Sequence, residues 1–124
     1  MPSPSMSDYC ELRVLEHVLR NTVFTSPAAV YLALHTGDPG EAGTSFEITP
    51  QQRLSMAFGA AAAGAISISA AIEFVNLTTN TITHVSIWDS ATTGNCLWAG
   101  ALAASRAVTT GDNLRITALT VSLD

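Results

Sequence analysis

The sequence predicts a mainly β fold: an antiparallel β-sandwich, jelly-roll-like, with one short N-terminal α-helix and a small barrel as second choice. Three observations carry that expectation. Ser7–Arg20 is the stretch whose apolar residues recur at helical spacing. After Pro27 the chain alternates apolar and polar residues in short runs, separated by turns rich in Gly, Asp and Asn. No helices alternate with those runs, so crossover-linked parallel strands are not expected and the sheets should be antiparallel.

The elements follow in order. Met1–Met6 (MPSPSM) is a proline- and serine-rich lead, expected to be extended, and residues 7–124 are expected to form a single domain, with the helix at about 7–20 and the sandwich at about 28–124. Ser7 suits a helix N-cap, Asp8 and Glu11 suit the first turn, and Asn21 suits the C-cap. Leu12, Leu15, Val18 and Leu19 form the apolar stripe, which either covers one side of the core or reaches a neighbour as a contact arm. Val30, Leu32 and Leu34 alternate with Tyr31, Ala33 and His35, as in a half-buried strand. Thr36–Ser45 is dense in turn formers and reads as a loop. Leu54, Met56 and Phe58 mark the next strand, which starts after Pro50 or lies at an edge.

Ile66–Phe74 reads as one continuous strand, with Ile66, Ile68, Ala70, Ile72 and Phe74 on one face. In Thr81–Asp89 neither face is clearly polar, so burial on both sides is expected. Ser90–Asn95 is a turn, Cys96–Ala104 a strand, and Val108–Asn113 a Gly-Asp turn. In the final segment Leu114, Ile116 and Ala118 are in phase, and then Leu119, Val121 and Leu123 are. A β-bulge near Ala118 would restore one inward face.

Composition excludes several functions. The 124 residues carry a net charge of −5; only 12% are charged, and the five cations are scattered arginines. About 25% charged residues is usual, so this surface is sparsely charged and prone to associate. No basic patch exists for nucleic acid or for an anionic membrane. No apolar run approaches the ~20 residues of a membrane span, and no signal-peptide pattern opens the chain. Cys10 and Cys96 are far apart and lack metal-ligand spacing, so both are read as reduced.

No catalytic constellation emerges, and no cofactor or metal is expected. His17, His35 and His84 have no HExxH or HxH spacing. A Ser-His-Asp set could be assembled on paper, but no GxSxG elbow supports it. Asp38, Asp89 and Asp112 lie in turns, where a carboxylate accepts local backbone hydrogen bonds. Asp38, Glu41 and Glu47 do not fit the twelve-residue calcium loop. Trp88 and Trp98 are core packing, interface anchors or a sugar-stacking platform.

Motif order adds a resemblance. Tyr31–Gly40 (YLALHTGDPG), with Glu41, Glu47 and Arg53 after it, is similar to the opening strand, Glu-rich turn and arginine-bearing strand of small phage structural proteins, often labelled tail-fibre-like. Ile82–Asp89 (ITHVSIWD), Asn95–Leu102 (NCLWAGAL), Gly111-Asp112 and Leu119–Asp124 resemble later segments of that family in the same order. Pro50-Gln51-Gln52 departs from the pattern, as do Ser86 and Trp88 where Gly and Phe are commoner.

The resemblance implies a non-enzymatic virion component. Chain length tilts the expectation towards a capsid decoration (cement) protein on the capsid surface, assembled in the host bacterial cytoplasm. Its expected partners are the major capsid protein and itself, as a homotrimer, with neither nucleic acid nor membrane. A tail-fibre or baseplate component with a receptor-binding head is the alternative, and a carbohydrate-binding module is more distant. The expected interface residues are Met1, Pro2, Tyr9, Arg13, Asp38, Pro39, Glu41, Trp88 and Trp98.

Overall fold

The computed structural model describes residues 5–122. Met1 and Pro2, with most of the expected extended lead, lie outside the described residues. In chain order the elements are β1 (Ser5–Met6), α1 (Asp8–Leu19), β2 (Val30–His35), β3 (Arg53–Met56), β4 (Ala65–Ser67), β5 (Ile72–Leu77), β6 (Asn80–Trp88), β7 (Cys96–Val108), β8 (Asp112–Ile116) and β9 (Thr120–Ser122). Every strand pairing is antiparallel.

The topology follows from one two-stranded ribbon that is folded over itself. β6 and β7 form its hairpin; β5 pairs with β8, and β4 with β9. The β6–β7 part joins a five-stranded sheet of order β1-β7-β6-β2-β3, while the other two pairs remain two-stranded. Phe74, Leu77 and Leu114 from β5 and β8 pack in one cluster with Leu32, Leu34, Ile82 and Val85 from the large sheet. The folded ribbon therefore supplies the second layer of a sandwich. Nesting of three successive pairs is jelly-roll-like, but the β2–β3 hairpin then joins β6 instead of extending the nest.

Two sequence expectations are corrected by that folding. The continuous strand expected over Ile66–Phe74 is two strands, because β4 follows β9 while β5 follows β8. The bulge expected near Ala118 is instead a break between β8 and β9 at the same partner exchange. There the Ile68 amide donates to the Leu119 carbonyl at 3.1 Å and bridges the gap. The inward phase is kept: Leu114 is buried, and Ile116, Leu119 and Val121 are half-buried.

β2 is also more enclosed than a half-buried strand. Ala33 and His35 are as inaccessible as Leu32 and Leu34, because the loop after β2 folds back over that face. The last four residues of β6, Val85–Trp88, are buried on both faces, as the sequence predicts. Gln52 finishes the edge near β3. Its carboxamide donates to the Val75 carbonyl and accepts from the Val75 amide, both at 2.9 Å, where a bulge in β5 interrupts the ladder. This satisfies backbone groups that would otherwise be an open edge, and gives the departure at Pro50-Gln51-Gln52 a structural role.

Ser7 caps α1 by accepting from the Cys10 amide at 3.1 Å, and its hydroxyl donates to the Cys96 carbonyl. The Ser7 amide donates to the Leu97 carbonyl at 3.0 Å, so the cap also ties the helix to β7. The C-cap is Arg20 rather than the expected Asn21; Asn21 follows it with the positive φ of 55° that suits the residue after the cap. The core makes a direct prediction. Phe74→Ala removes a fully buried ring and should lower unfolding stability by about 3–5 kcal/mol in urea titration. Leu12→Ala, on the exposed stripe, should change it by no more than about 0.5 kcal/mol.

Candidate interaction surface

At one end of the large sheet, a single guanidinium organises the surface. Arg53 donates Nε–H and Nη2–H to the two carboxylate oxygens of Glu47, each at 3.0 Å. Its Nη1 donates to the carbonyls of Ser90, Thr92 and Thr93 at 3.1, 2.8 and 2.9 Å. The guanidinium carbon lies 3.9 Å from the centroid of the Trp88 ring. The Arg53 side chain is only 3% exposed, so its charge is held by partners rather than by water. One residue thus joins β3, the end of the β2–β3 loop and the β6–β7 turn.

Beneath it lies a chain of buried hydrogen bonds. Trp88 Nε1–H donates to Ser86 Oγ at 2.6 Å. Ser86 Oγ lies 2.7 Å from His35 Nε2, and His35 Nδ1 lies 2.8 Å from the Ser45 carbonyl. A carbonyl can only accept, so the partners assign the proton to Nδ1 and leave Nε2 to accept from the serine. Loss of water on burial holds the His35 pKa below its ordinary 6.5, and Arg53 and His84 act in the same direction against Glu47 and the Ser45 bond. This serine–histidine pair has catalytic-looking spacing, yet both side chains are fully buried and the outer imidazole nitrogen faces a carbonyl rather than a carboxylate. It is a structural relay that locks the β2–β3 loop to the sheet.

The structure does not bring the described interface candidates to one place. Tyr9, Glu41 and Trp88 line one depression of about 320 Å³, between the N-terminus of α1, the β2–β3 loop and the β6–β7 turn. Partial loss of water, and after it the neighbouring Asp8 carboxylate, raises the Glu41 pKa. Arg13 sits outside the depression, with its guanidinium 5.2 Å from the Tyr9 ring centroid, and Phe24 meets that ring edge-on at 6.3 Å. Asp38 is an exposed turn residue whose carboxylate accepts from the Gly40 amide at 3.0 Å. Asp89 and Asp112 likewise accept from the Asn95 and Thr109 amides, at 2.7 and 2.8 Å.

Pro39, Trp88 and Trp98 are buried, with the indoles only 4% and 7% exposed, so in the single chain they support a surface rather than form one. Trp98 belongs to the main core, and Trp88 packs with Ala33 and Cys96. A sugar-stacking platform needs an open indole face, which neither offers. Gly43 closes this region with a φ of +73°; a Cβ there would meet Cys96 Sγ at 2.5 Å. Burial pushes the Cys96 thiol up to about 11, so it stays protonated at neutral pH, and both cysteines are free. Among the described residues, no three His, Cys, Asp or Glu side chains gather as a metal set.

The surface that the sequence pattern left undecided lies on α1. Leu12, Leu15, Val18 and Leu19 are 62%, 53%, 68% and 75% exposed, and no residue of the helix is buried. The half-buried positions are Tyr9, Cys10, Val14 and Glu16, so the helix meets the sheet with its other side. The expectation that the stripe covers the core is therefore corrected: it faces outward.

Residues 5–124 match the family described as podophage GP4 fiber I protein gp80. The chain belongs to this family. It is a small bacteriophage virion structural protein of fibre type. No curated protein matches it. Sequence reasoning did not pair Ser86 with His35 or Arg53 with Glu47 and Trp88. The available signals were a serine and a tryptophan replacing commoner residues in the ITHVSIWD strand, and the places of Glu47 and Arg53 in the resembling pattern.

The relay gives a pH prediction. Above pH 6.5 His35 is neutral in both the folded and unfolded chain. As pH falls below 6.5 the unfolded chain takes up a proton that the folded chain resists, so stability declines until the lowered folded pKa is reached. Thermal unfolding from pH 7.5 down to 4.5 should show this decline, and His35→Gln, itself less stable, should show a shallower one.

Proposed function

We propose that this protein is a non-enzymatic building block of the phage particle, in the fibre-type role its family description names, and that it attaches to neighbouring subunits through α1. The observation that carries the proposal is the row of four exposed aliphatic side chains on an otherwise well-satisfied fold. Full burial of each such side chain is worth about 1.5–3 kcal/mol, so a neighbour that covers the row gains considerably. Asp8, Glu11, Arg13, Glu16 and Arg20 flank the row, so a neighbour would meet an apolar strip with a charged rim. Scattered arginines provide no phosphate track, so nucleic acid has no part in the proposal. No described helix is long and apolar enough to cross a membrane.

Capsid decoration is a second reading, with the major capsid protein as partner. The described residues form a two-layer globule rather than a shaft, and such a globule suits a clamp seated on a shell, where many weak contacts add by multivalency.

Immunogold labelling of purified particles tests both. Label confined to the tail region is the expected result. Label spread over the shell, with binding of the free protein to expanded empty capsids, would transfer the protein to decoration. Particles without label would overturn the structural role itself.

A further inference from the structure

The helix stripe has a counterpart elsewhere on the molecule. While β6 runs from Ile82 to His84, its partner β7 runs from Arg106 back to Ala101, so β7 arches away from the sheet across Leu102–Ser105. Between this arch and β8 lies a groove of about 280 Å³, lined by Leu102, Ala103, Ala104 and Arg106 on one wall and by residues 114–118 on the other. The groove is graded along its length. Arg106 and Arg115 stand near the β7–β8 turn, whereas Leu102 and Ala118 stand at the far end. Among the described residues Arg106 has no ion-pair partner, and Arg115 reaches Glu73 only at 3.9 Å with both side chains exposed. Two of the five cations are thus gathered there with little neutralisation.

Helix α1 carries the complementary gradient. Asp8, Leu12, Leu15 and Leu19 share one face at helical spacing, and Glu11, Leu15 and Val18 share its flank. The face is acidic in the first turn and apolar in the following turns.

We propose that α1 of one copy seats in the β7–β8 groove of a second copy, with Asp8 and Glu11 over Arg106 and Arg115 and the leucines towards Leu102 and Ala118. The occupant is a second copy because the acidic and apolar ends of the helix correspond to the basic and apolar ends of the groove, and because α1 contacts its own β7 through its opposite side. Helix and groove are different patches, so the contact is heterologous and closes into a ring or extends as a chain. A closed ring of three is the trimer expected from the sequence. This assignment deepens the reading of the protein as an assembling virion subunit and rests on it.

Sedimentation of the full chain tests the arrangement through two exposed positions. Leu15→Glu spoils the helix and leaves the groove; Ala104→Trp fills the groove and leaves the helix. Wild type should associate, each variant alone should be monomeric, and an equimolar mixture of the two should form a dimer and nothing larger. Wild-type melting curves confirm that both variants are folded. As a second pair, Arg106→Glu should weaken association about tenfold, and mixing it with Glu11→Arg should restore part of the loss.

A wild type that is monomeric at high concentration overturns the inference. So does a mixture without dimer, or association indifferent to Ala104→Trp, which would point to α1 pairing with itself. Particle labelling is independent of these results, so failure of the groove assignment and failure of the virion role are distinguishable.

Discussion

A charged group removed from water must be fully paired, and in this fold that constraint falls on Arg53. Its planar fork meets the Glu47 carboxylate in bidentate fashion, three turn carbonyls surround one terminal nitrogen, and Trp88 lies under its face. Lysine could supply the charge but not the fork, the stacking and the carbonyl contacts together. Because Arg53 stands on β3 and its partners come from the β2–β3 loop, the β6–β7 turn and the end of β6, the arginine sets where two irregular segments stand relative to a regular sheet. The covered Trp88 in turn reaches Ser86, and Ser86 reaches His35, so satisfaction of one cation extends inward as an ordered polar chain. Such a network favours one arrangement of loop and turn over near alternatives, since a partly satisfied version would be costly.

The contrast between interior and exterior carries the functional reading. Inside, the polar groups described here are paired, the cysteines are protonated, and the aspartates of the turns accept backbone hydrogen bonds. Outside, the helix exposes a continuous apolar row, and the β7 arch exposes a groove with two weakly engaged arginines. An exposed apolar row next to a completed polar interior is the surface on which the proposed assembly rests. Membership in a phage fibre family agrees with that pattern and gives it a setting.

Much of the fold was legible wherever the deciding physics is local. The Ser7 cap and the acidic first turn fix the start of the helix, whereas its end falls at Arg20, one residue before the expected Asn21. Period-two alternation fixes β2, the lack of a polar face marks β6 as buried on both sides, and turn chemistry fixes the segments around Asp38, Asp89 and Asp112. The breaks at Ile68–Ala71 and Thr117–Leu119 were legible only as a slip of phase in the second, because each depends on the other: two strands exchange partners together when the ribbon bends. Burial of His35 was hidden for a similar reason, since alternation shows which residues share a face but not which loop returns over it. The helix pattern likewise identifies an apolar face without saying what covers it. The Arg53 hub was visible only as a position in a family pattern; a glutamate six residues earlier and three carbonyls about forty residues later carry no sequence signal of convergence.

The most direct measurement is hydrogen–deuterium exchange on Arg53→Lys, which keeps the charge and removes the fork. If the arginine holds loop and turn together, the amides of Thr36, Ser45 and Asn95 should lose protection together, while the β5–β8 ribbon keeps its own. Uniform loss across the chain, or unchanged exchange at those three positions, would contradict the account.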